Sequence, residues 1–192
     1  MSRQYILIFD LDKCSGCKAC SVACHNEYDM SPGVNFCRVD QVGPTGVYPD
    51  LKMSFFPRTC MHCGNPPCIE ACSEKAGYIH PDGIVIFDEK KCTDCMQCVA
   101  ACPYDVCFHY PEKKIVHKCN MCLHLIINGG IPNCVSNCPC LAIYFGDMND
   151  PSSVVSKIMK ENKGNIFRDR EELKTSPNVY YLPVINRAIN NG

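Results

Sequence analysis

Short apolar runs bounded by turn residues are the clearest pattern along this chain. One run fills positions 5–9 and another fills 141–145, and both have the length and residue types of strands. Two further β-prone runs flank Pro81-Asp82-Gly83, a sequence typical of a tight turn. We therefore predict a hairpin over 77–88, and we expect the runs at 5–9 and 141–145 to pair as strands.

Helices are predicted at fewer places. Small and apolar residues between cysteines at 20–24 and at 98–102 favour a helical turn at each position. The sequence Asp150-Pro-Ser-Ser is typical of an N-cap followed by proline at the first helical position, which predicts a helix through about Lys160. The residues at 165–192 are too poor in apolar side chains to form a domain of their own.

The composition is ordinary apart from cysteine. Apolar residues make up 46% of the 192 positions, which suits one or two globular domains. The formal charge is −1 and no long basic run is present, so we expect no nucleic-acid partner. Apolar runs such as 123–127 are far shorter than the roughly 20 residues that span a bilayer, so we expect no transmembrane segment.

Cysteine makes up 19 of the 192 residues, a share that normally marks a disulfide scaffold or a metal-loaded protein. Disulfides need an oxidising compartment, but the apolar run at 5–9 is too short for a signal peptide and leads directly into Asp10. An odd number of cysteines also argues against complete internal pairing. Metal binding is therefore the favoured interpretation.

Sixteen of the cysteines form four groups of four. The groups are Cys14, Cys17, Cys20 and Cys24; Cys60, Cys63, Cys68 and Cys72; Cys92, Cys95, Cys98 and Cys102; and Cys119, Cys122, Cys134 and Cys138. The first and third share the C-x2-C-x2-C-x3-C spacing of bacterial ferredoxins, in which three thiolates hold one [4Fe–4S] cube and the fourth binds a neighbouring cube. We expect a helical turn after the third cysteine of each group. A structural zinc protein, the alternative, would leave the regular third and fourth cysteines unexplained.

The exchange of fourth cysteines requires the groups to work in pairs. Because the predicted hairpin at 77–88 joins the second group to the third, these two form one unit, and the first and fourth groups pair around it. The predicted fold is α+β, with two ferredoxin-like 2[4Fe–4S] domains in a nested arrangement with short hairpins, plus a C-terminal extension. The outer domain spans 1–45 and 110–149, the inner domain spans 50–109, and the helix and a partner-wrapping tail span 150–192.

Several segments resemble one family of electron-transfer proteins. Besides the four groups, they are Arg58-Thr-Cys-Met-His-Cys-Gly-Asn-Pro-Pro-Cys68, Lys118-Cys-Asn-Met-Cys122 and Asn178-Val-Tyr-Tyr-Leu182. In these segments the sequence is similar to the four-cluster iron–sulfur subunits (beta subunits) of the dimethyl sulfoxide reductase and polysulfide reductase family of molybdopterin oxidoreductases. The resemblance implies a subunit that passes single electrons to or from a catalytic subunit and has no catalytic residue itself.

The resemblance also implies which cysteines share a cube. The resemblance implies four ligand sets. Set 1 consists of Cys14, Cys17, Cys20 and Cys138, and set 2 consists of Cys24, Cys119, Cys122 and Cys134. Set 3 consists of Cys60, Cys63, Cys68 and Cys102, and set 4 consists of Cys72, Cys92, Cys95 and Cys98. Sets 1 and 2 would face the catalytic subunit, and sets 3 and 4 would face the donor. Since all sixteen positions are cysteine, we expect four [4Fe–4S] clusters.

The implied partner is a large catalytic subunit that contains molybdopterin with Mo or W. A membrane anchor subunit or a soluble electron donor is the expected further partner. Sixteen bare thiols would not survive an oxidising compartment, so we expect assembly in the cytoplasm. The final site is either the cytoplasm or, after export with a partner that carries a twin-arginine signal, the outer face of the membrane. The alternative function is a free polyferredoxin, or the ferredoxin-like subunit of a formate dehydrogenase or hydrogenase complex.

Residues outside the four groups receive mostly structural interpretations. Cys37, Cys107 and Cys140 are expected to be small buried apolar residues. His62 could donate a hydrogen bond to a cluster sulfur, but exposure to solvent or simple packing is the favoured interpretation. The other histidines have no Ser, Cys or carboxylate partner at a catalytic spacing, so no catalytic residue is assigned.

Three lysines form a pattern of their own. Lys13, Lys91 and Lys118 each stand immediately before the first cysteine of a group. Two interpretations stay open for them. They offset charge at the surface, or each raises the reduction potential of its cube, because positive charge favours the more negative reduced state.

Overall fold

The computed structural model of the chain describes residues 3–182. In this range the strands are β1 (Tyr5–Asp10), β2 (Arg38–Thr45), β3 (Lys52–Arg58), β4 (Gly77–Ile79), β5 (Val85–Phe87), β6 (Phe108–Tyr110), β7 (Ile115–His117), β8 (Ile143–Asp147) and β9 (Val179–Leu182). The α-helices are α1 (Ala19–Tyr28), α2 (Pro67–Glu70), α3 (Gln97–Ala101), α4 (Leu123–Ile126), α5 (Asn133–Ser136) and α6 (Val154–Glu161). These small sheets and short helices give the predicted α+β class.

Strand β1 is the middle strand of a three-stranded sheet in the order β8-β1-β9. It pairs antiparallel with β8, where Leu7 lies opposite Phe145, and parallel with β9, where Leu7 lies opposite Val179. The apolar residues at 6–9 are all buried, because the sheet is covered on both faces. The predicted pairing of the two apolar runs is confirmed. It places the residues just before Cys14 next to those just after Cys138.

Each remaining sheet is an antiparallel hairpin, formed by β2 and β3, by β4 and β5, or by β6 and β7. The hairpin predicted over 77–88 is β4–β5, and Gly83 in its turn has a φ of 82°. The other two hairpins were not predicted. Strand β2 is largely exposed and ends in Gly43-Pro44-Thr45, so it lacks the apolar alternation of a strand. The predicted domain boundary between 109 and 110 falls inside β6.

The start of the C-terminal helix differs from the prediction. The N-cap of α6 is Ser153, whose side chain accepts a hydrogen bond from the Ser156 N–H, and not Asp150. Asp150 instead accepts from the Ser152 N–H at 2.8 Å, so the Asp-Pro-Ser sequence forms a turn before the helix. The end of α6 at Glu161 agrees with the prediction.

The segment after α6 packs against the body of the protein as far as Leu182. Its strand β9 is buried throughout, and Tyr181 in this strand stacks on Phe9 and Phe56 at centroid distances of 5.6 and 4.4 Å. Asp169 accepts a hydrogen bond from Arg58 at 3.0 Å. This part of the predicted tail therefore belongs to the protein's own core, and the rest of the tail lies outside the described residues.

The apolar core is continuous between the two predicted domains. One cluster of buried side chains joins Phe9 of β1 to Phe56, Val85 and Val116, together with many of the grouped cysteines. A smaller cluster lies on the other face of the sheet, between β1, β9 and α6. Within residues 3–182 no helix is long and apolar enough to cross a bilayer.

Candidate metal centres

Three cavities with apolar linings are each surrounded by four of the grouped cysteines. One of about 340 Å³ is lined by Cys14, Cys17, Cys20 and Cys138; one of about 310 Å³ by Cys60, Cys63, Cys68 and Cys102; and one of about 340 Å³ by Cys72, Cys92, Cys95 and Cys98. Each takes three cysteines from one group and one from another. In the described part of the chain, no three His, Cys, Asp or Glu side chains are placed to hold a single metal ion. The cysteines surround a space instead of meeting at a point.

The remaining four grouped cysteines also lie close together. Cys24 is buried in α1, and its pKa is raised by burial and then by the nearby charges of Cys119, Cys134 and Cys122. Helix α1 packs against α5, the helix that carries Cys134. The structure thus brings together the residues of set 2 as well as those of sets 1, 3 and 4.

The third cysteine of each group is the second residue of a helix. These residues are Cys20 in α1, Cys68 in α2, Cys98 in α3 and Cys134 in α5. The predicted helical turns are confirmed in all four groups. Backbone N–H groups in the first turn of a helix lack helical partners and favour nearby negative charge, so this position suits a thiolate.

Backbone N–H groups donate hydrogen bonds to several of the grouped sulfurs. The donor and acceptor pairs are His62 to Cys60 (3.5 Å), Met121 to Cys119 (3.4 Å), Ala76 to Cys72 (3.3 Å), Ala142 to Cys138 (3.3 Å) and Val116 to Cys92 (3.4 Å). His62 and Met121 adopt left-handed backbone, with φ of 44° and 55°, which turns the loop around the preceding sulfur. These donors stabilise negative sulfur.

Burial makes several of the bare thiols weaker acids than a free cysteine. It raises the pKa of Cys60 to about 12 and the pKa values of Cys63 and Cys98 to about 11. Without a metal these thiols are protonated at neutral pH, whereas the thiolate is the form that binds metal. A bound cation reverses this balance. Sets of four thiols, in apolar cavities with N–H donors to sulfur, therefore fit thiolate-bound iron–sulfur clusters.

The sets differ in their exposure to solvent. Cys17 of set 1 and Cys95 of set 4 are exposed. All four cysteines of set 3 and three of the four in set 2 are buried. Sets 1 and 4 therefore reach the surface, while sets 2 and 3 lie inside the molecule.

Two cysteines outside the groups contact grouped cysteines. Cys37 and Cys107 are buried, as predicted, but each also forms a thiol hydrogen bond. The bond with Cys37 lowers the pKa of Cys20 to about 7, and the bond with Cys107 lowers the pKa of Cys102 to about 6. Cys140 is only half-buried, contrary to the prediction, because it lies at the rim of the set 1 cavity. Sequence spacing carries no signal for these contacts, because the partners meet only in the folded protein.

The three lysines before the cysteine groups occupy different environments. The side chains of Lys13 and Lys91 are 51% and 62% exposed, whereas Lys118 is only 2% exposed. His62 is also buried, so it is packed and not exposed to solvent. The Val85 N–H donates to His62 Nδ1 at 3.1 Å, and the buried Nε2 has no hydrogen-bond partner among residues 3–182.

The other histidines form ordinary polar pairs. The pairs are His25 with Asn35, His80 with Asp82, His109 with Asp94, His117 with Glu89 and His124 with Glu27. Four of these histidines therefore have a carboxylate partner that the sequence spacing did not indicate. Each pair lies partly exposed and contains no Ser or Cys nucleophile. We assign chemistry to none of them.

Comparison with known proteins agrees with this geometry. Residues 51–148 match the family described as a 4Fe-4S dicluster domain. The sequence is 38% identical to "Protein NrfC homolog" of Haemophilus influenzae, over 94% of this chain and 80% of that protein. It is 36% identical to a polysulfide reductase component of Wolinella succinogenes, over 95% of this chain and 96% of the relative. It is 37% identical to a tetrathionate reductase component of Salmonella typhimurium, over 93% of this chain and 72% of the relative.

Proposed function

Because this protein belongs to the 4Fe-4S dicluster domain family and is similar in sequence to components of several reductases, we propose that it relays single electrons through four [4Fe–4S] clusters. It is an iron–sulfur electron-transfer subunit of an oxidoreductase complex. The four clusters are held on sets 1 to 4 in this proposal. The paired sets form two ferredoxin-like domains, nested as the order of the cysteine groups requires.

One observation carries the proposal: sets 1 and 4 each have an exposed cysteine, whereas sets 2 and 3 are almost entirely buried. Cys20 of set 1 is close enough to Cys24 of set 2 for their charges to interact, and so is Cys68 of set 3 to Cys98 of set 4. The thiol of Cys60 in set 3 is close enough to Cys119 in set 2 for their charges to interact. If electrons pass through the sets in the order 1, 2, 3 and 4, the first and last sets lie at the surface and the two middle sets are buried. This arrangement supports a relay that receives an electron at one face and releases it at another.

The residues of this protein have three tasks in such a relay. A bound [4Fe–4S] cube supplies a one-electron couple. The thiolates hold each cube, the apolar cavity walls limit the access of water, and the backbone N–H donors stabilise the negative sulfur atoms. No side chain of this protein is assigned to break or form a substrate bond.

The proposed partner is a large molybdopterin-containing catalytic subunit that sets 1 and 2 face. The names of the relatives, as single components of polysulfide and tetrathionate reductases, support a multisubunit assembly. A membrane anchor or a soluble donor would act at the end formed by set 4. We propose assembly in the cytoplasm, because the thiols need a reducing compartment until they bind iron.

Anaerobic purification through a tag on this protein tests the proposal. We expect about sixteen irons and sixteen sulfides per chain, together with a large subunit that contains molybdopterin. The same iron without such a partner would favour the free polyferredoxin or the formate dehydrogenase and hydrogenase alternative. Zinc in place of iron would contradict the proposal.

Serine variants test the ligand sets separately. Cys138→Ser and Cys14→Ser should alter the same cluster signal in electron paramagnetic resonance spectra, because both residues belong to set 1. Cys24→Ser should alter the signal that Cys119→Ser alters, although Cys24 is close in sequence to Cys20. If Cys24→Ser and Cys14→Ser instead alter the same signal, the exchange of fourth cysteines is wrong.

A further inference from the structure

Lys118 is a cation buried in the middle of the molecule. Its Nζ donates to the Val85 carbonyl oxygen at 2.5 Å and to the Cys119 carbonyl oxygen at 3.2 Å. The same Nζ lies 5.3 Å from the centroid of the Phe87 ring. Two carbonyls and an aromatic face orient the ammonium, but none of them carries a negative charge to compensate it.

The groups near Lys118 that can carry negative charge are sulfurs. Among residues 3–182 no Asp or Glu carboxylate forms an ion pair with it. Lys118 lines the set 3 cavity together with Cys60, Cys68 and Cys107, and its backbone adjoins Cys119 of set 2. Thiolates that bind a cluster at these positions would supply the negative charge that faces the ammonium.

His62 does not share this positive charge. The ring of His62 is fully buried, and its Nδ1 carries no proton because it accepts a hydrogen bond, so the imidazole is neutral. Its Nδ1 accepts the Val85 N–H, while the Val85 carbonyl accepts from Lys118. Val85 of β5 thus binds the neutral ring of His62 through its N–H and the ammonium of Lys118 through its carbonyl oxygen.

A buried ammonium without a counter-charge destabilises a protein, because it loses its hydration and gains no compensating attraction. Four thiolates around a cube with a 2+ core leave a net negative charge, and reduction adds one more. The cavity beside Lys118 is lined by four cysteines that fit such a cluster. The burial of this lysine is thus accounted for when negative clusters occupy sets 2 and 3.

We propose that Lys118 is a built-in positive charge that raises the reduction potentials of the clusters on sets 2 and 3, where electrons cross between the two predicted domains. This inference rests on the proposed function, because it requires both clusters. The physical reason is that the attraction between a fixed cation and the extra electron is strong where water cannot screen it. The relay then holds an electron more favourably in its buried middle than the cysteine sets alone would.

Lys13 and Lys91 are natural controls. Each occupies the same position before a cysteine group, but each is more than half exposed and pairs with an aspartate three residues before it, Asp10 or Asp88. Water and those carboxylates screen the two ammonium groups. Of the two interpretations left open by the sequence, charge offset at the surface therefore suits these lysines, and control of potential suits Lys118.

The test uses the variants Lys118→Met and Lys118→Gln. A redox titration of each holoprotein in its complex is monitored by electron paramagnetic resonance. We expect the reduced-to-oxidised ratio of two clusters, at a fixed applied potential, to fall at least about tenfold, which equals about 59 mV for a one-electron couple. The two affected signals should be those altered by Cys60→Ser and Cys119→Ser. Lys13→Gln and Lys91→Gln should change every ratio by less than about threefold.

Three outcomes decide the inference. Unmoved potentials in both Lys118 variants, with full iron and partner content, would overturn it. If the two neutral variants lose iron from sets 2 and 3, the variant Lys118→Arg decides. Retained iron in this variant supports a need for positive charge at this position. An equal loss of iron shows that only the shape of lysine matters and overturns the inference. Failure of the proposed function is separate, since it would appear as missing iron or a missing partner in the unmutated protein.

Discussion

At the residue scale, the sulfur atoms have neighbours that the spacing of the cysteines does not reveal. The cysteine groups are visible in the sequence because each ligand lies a fixed number of residues from the next. Lys118 lies beside set 3 only because the polypeptide folds back on itself, and Cys107, which follows Cys102 closely in sequence, also reaches the distant Cys68. Their effect is on the energy of the bound cluster, whereas the grouped cysteines determine whether a cluster binds at all.

Substitution of Cys107 by alanine should lower one reduction potential without loss of iron. Cys107 is a neutral buried thiol that forms hydrogen bonds with Cys102 and Cys68, two of the proposed ligands in set 3. Loss of one such bond should cost the reduced state about 0.5–1 kcal/mol, or about 20–40 mV for a one-electron couple. Redox titration of the holoprotein measures the shift, with Cys140→Ala as the matched control. A fall in iron content in the Cys107 variant would show instead that this thiol is a ligand.

At the element scale, the sequence predicts the features that local chemistry determines. The hairpin over 77–88 has a turn sequence, the helical turns accompany the cysteine spacing, and β1 and β8 are apolar runs of strand length. The hairpins β2–β3 and β6–β7 were missed, because exposed or three-residue strands carry little apolar pattern. The cap of α6 was misassigned because Asp150 and Ser153 are both good capping residues, and only packing selects between them.

Strand β9 shows the same limit more strongly. Its pairing with β1 is parallel and joins residues at opposite ends of the sequence, so no local signal predicts it. The segment is short and comes after a charged stretch, which favoured its interpretation as part of a tail that wraps a partner. In the structure its residues complete the central sheet, and Tyr181 fills the space between β1 and β3.

Replacement of Tyr181 by alanine should destabilise the whole holoprotein. The ring is fully buried against Phe9 and Phe56, and its hydroxyl donates to the Pro57 carbonyl oxygen at 3.0 Å. Loss of a buried aromatic ring costs about 3–5 kcal/mol, whereas Tyr181→Phe removes only the hydrogen bond and should cost about 1 kcal/mol. Anaerobic thermal unfolding followed by near-ultraviolet circular dichroism gives both values. Equal losses in the two variants would mean that β9 does not contribute to the core.

At the scale of the whole molecule, the cysteine sets and the apolar core are one structure. The main cluster of buried side chains includes cysteines of the first, second, third and fourth groups. Sets 2 and 3 lie within this core, and sets 1 and 4 lie at its edges. Access of a reagent to the clusters proposed on sets 2 and 3 would therefore require the core to open, whereas access to those proposed on sets 1 and 4 would not.

This difference predicts two phases in the loss of iron. A small anaerobic chelator or oxidant should remove the clusters on sets 1 and 4 first, because Cys17 and Cys95 are exposed, and those on sets 2 and 3 more slowly. The decay of visible absorbance and of the separate resonance signals measures the two phases. In guanidinium the phases should merge, since unfolding of one continuous core exposes all four sets together. A single phase in native buffer, with all four signals decaying at one rate, would mean that iron is lost only through global unfolding and that the ends are closed to solvent.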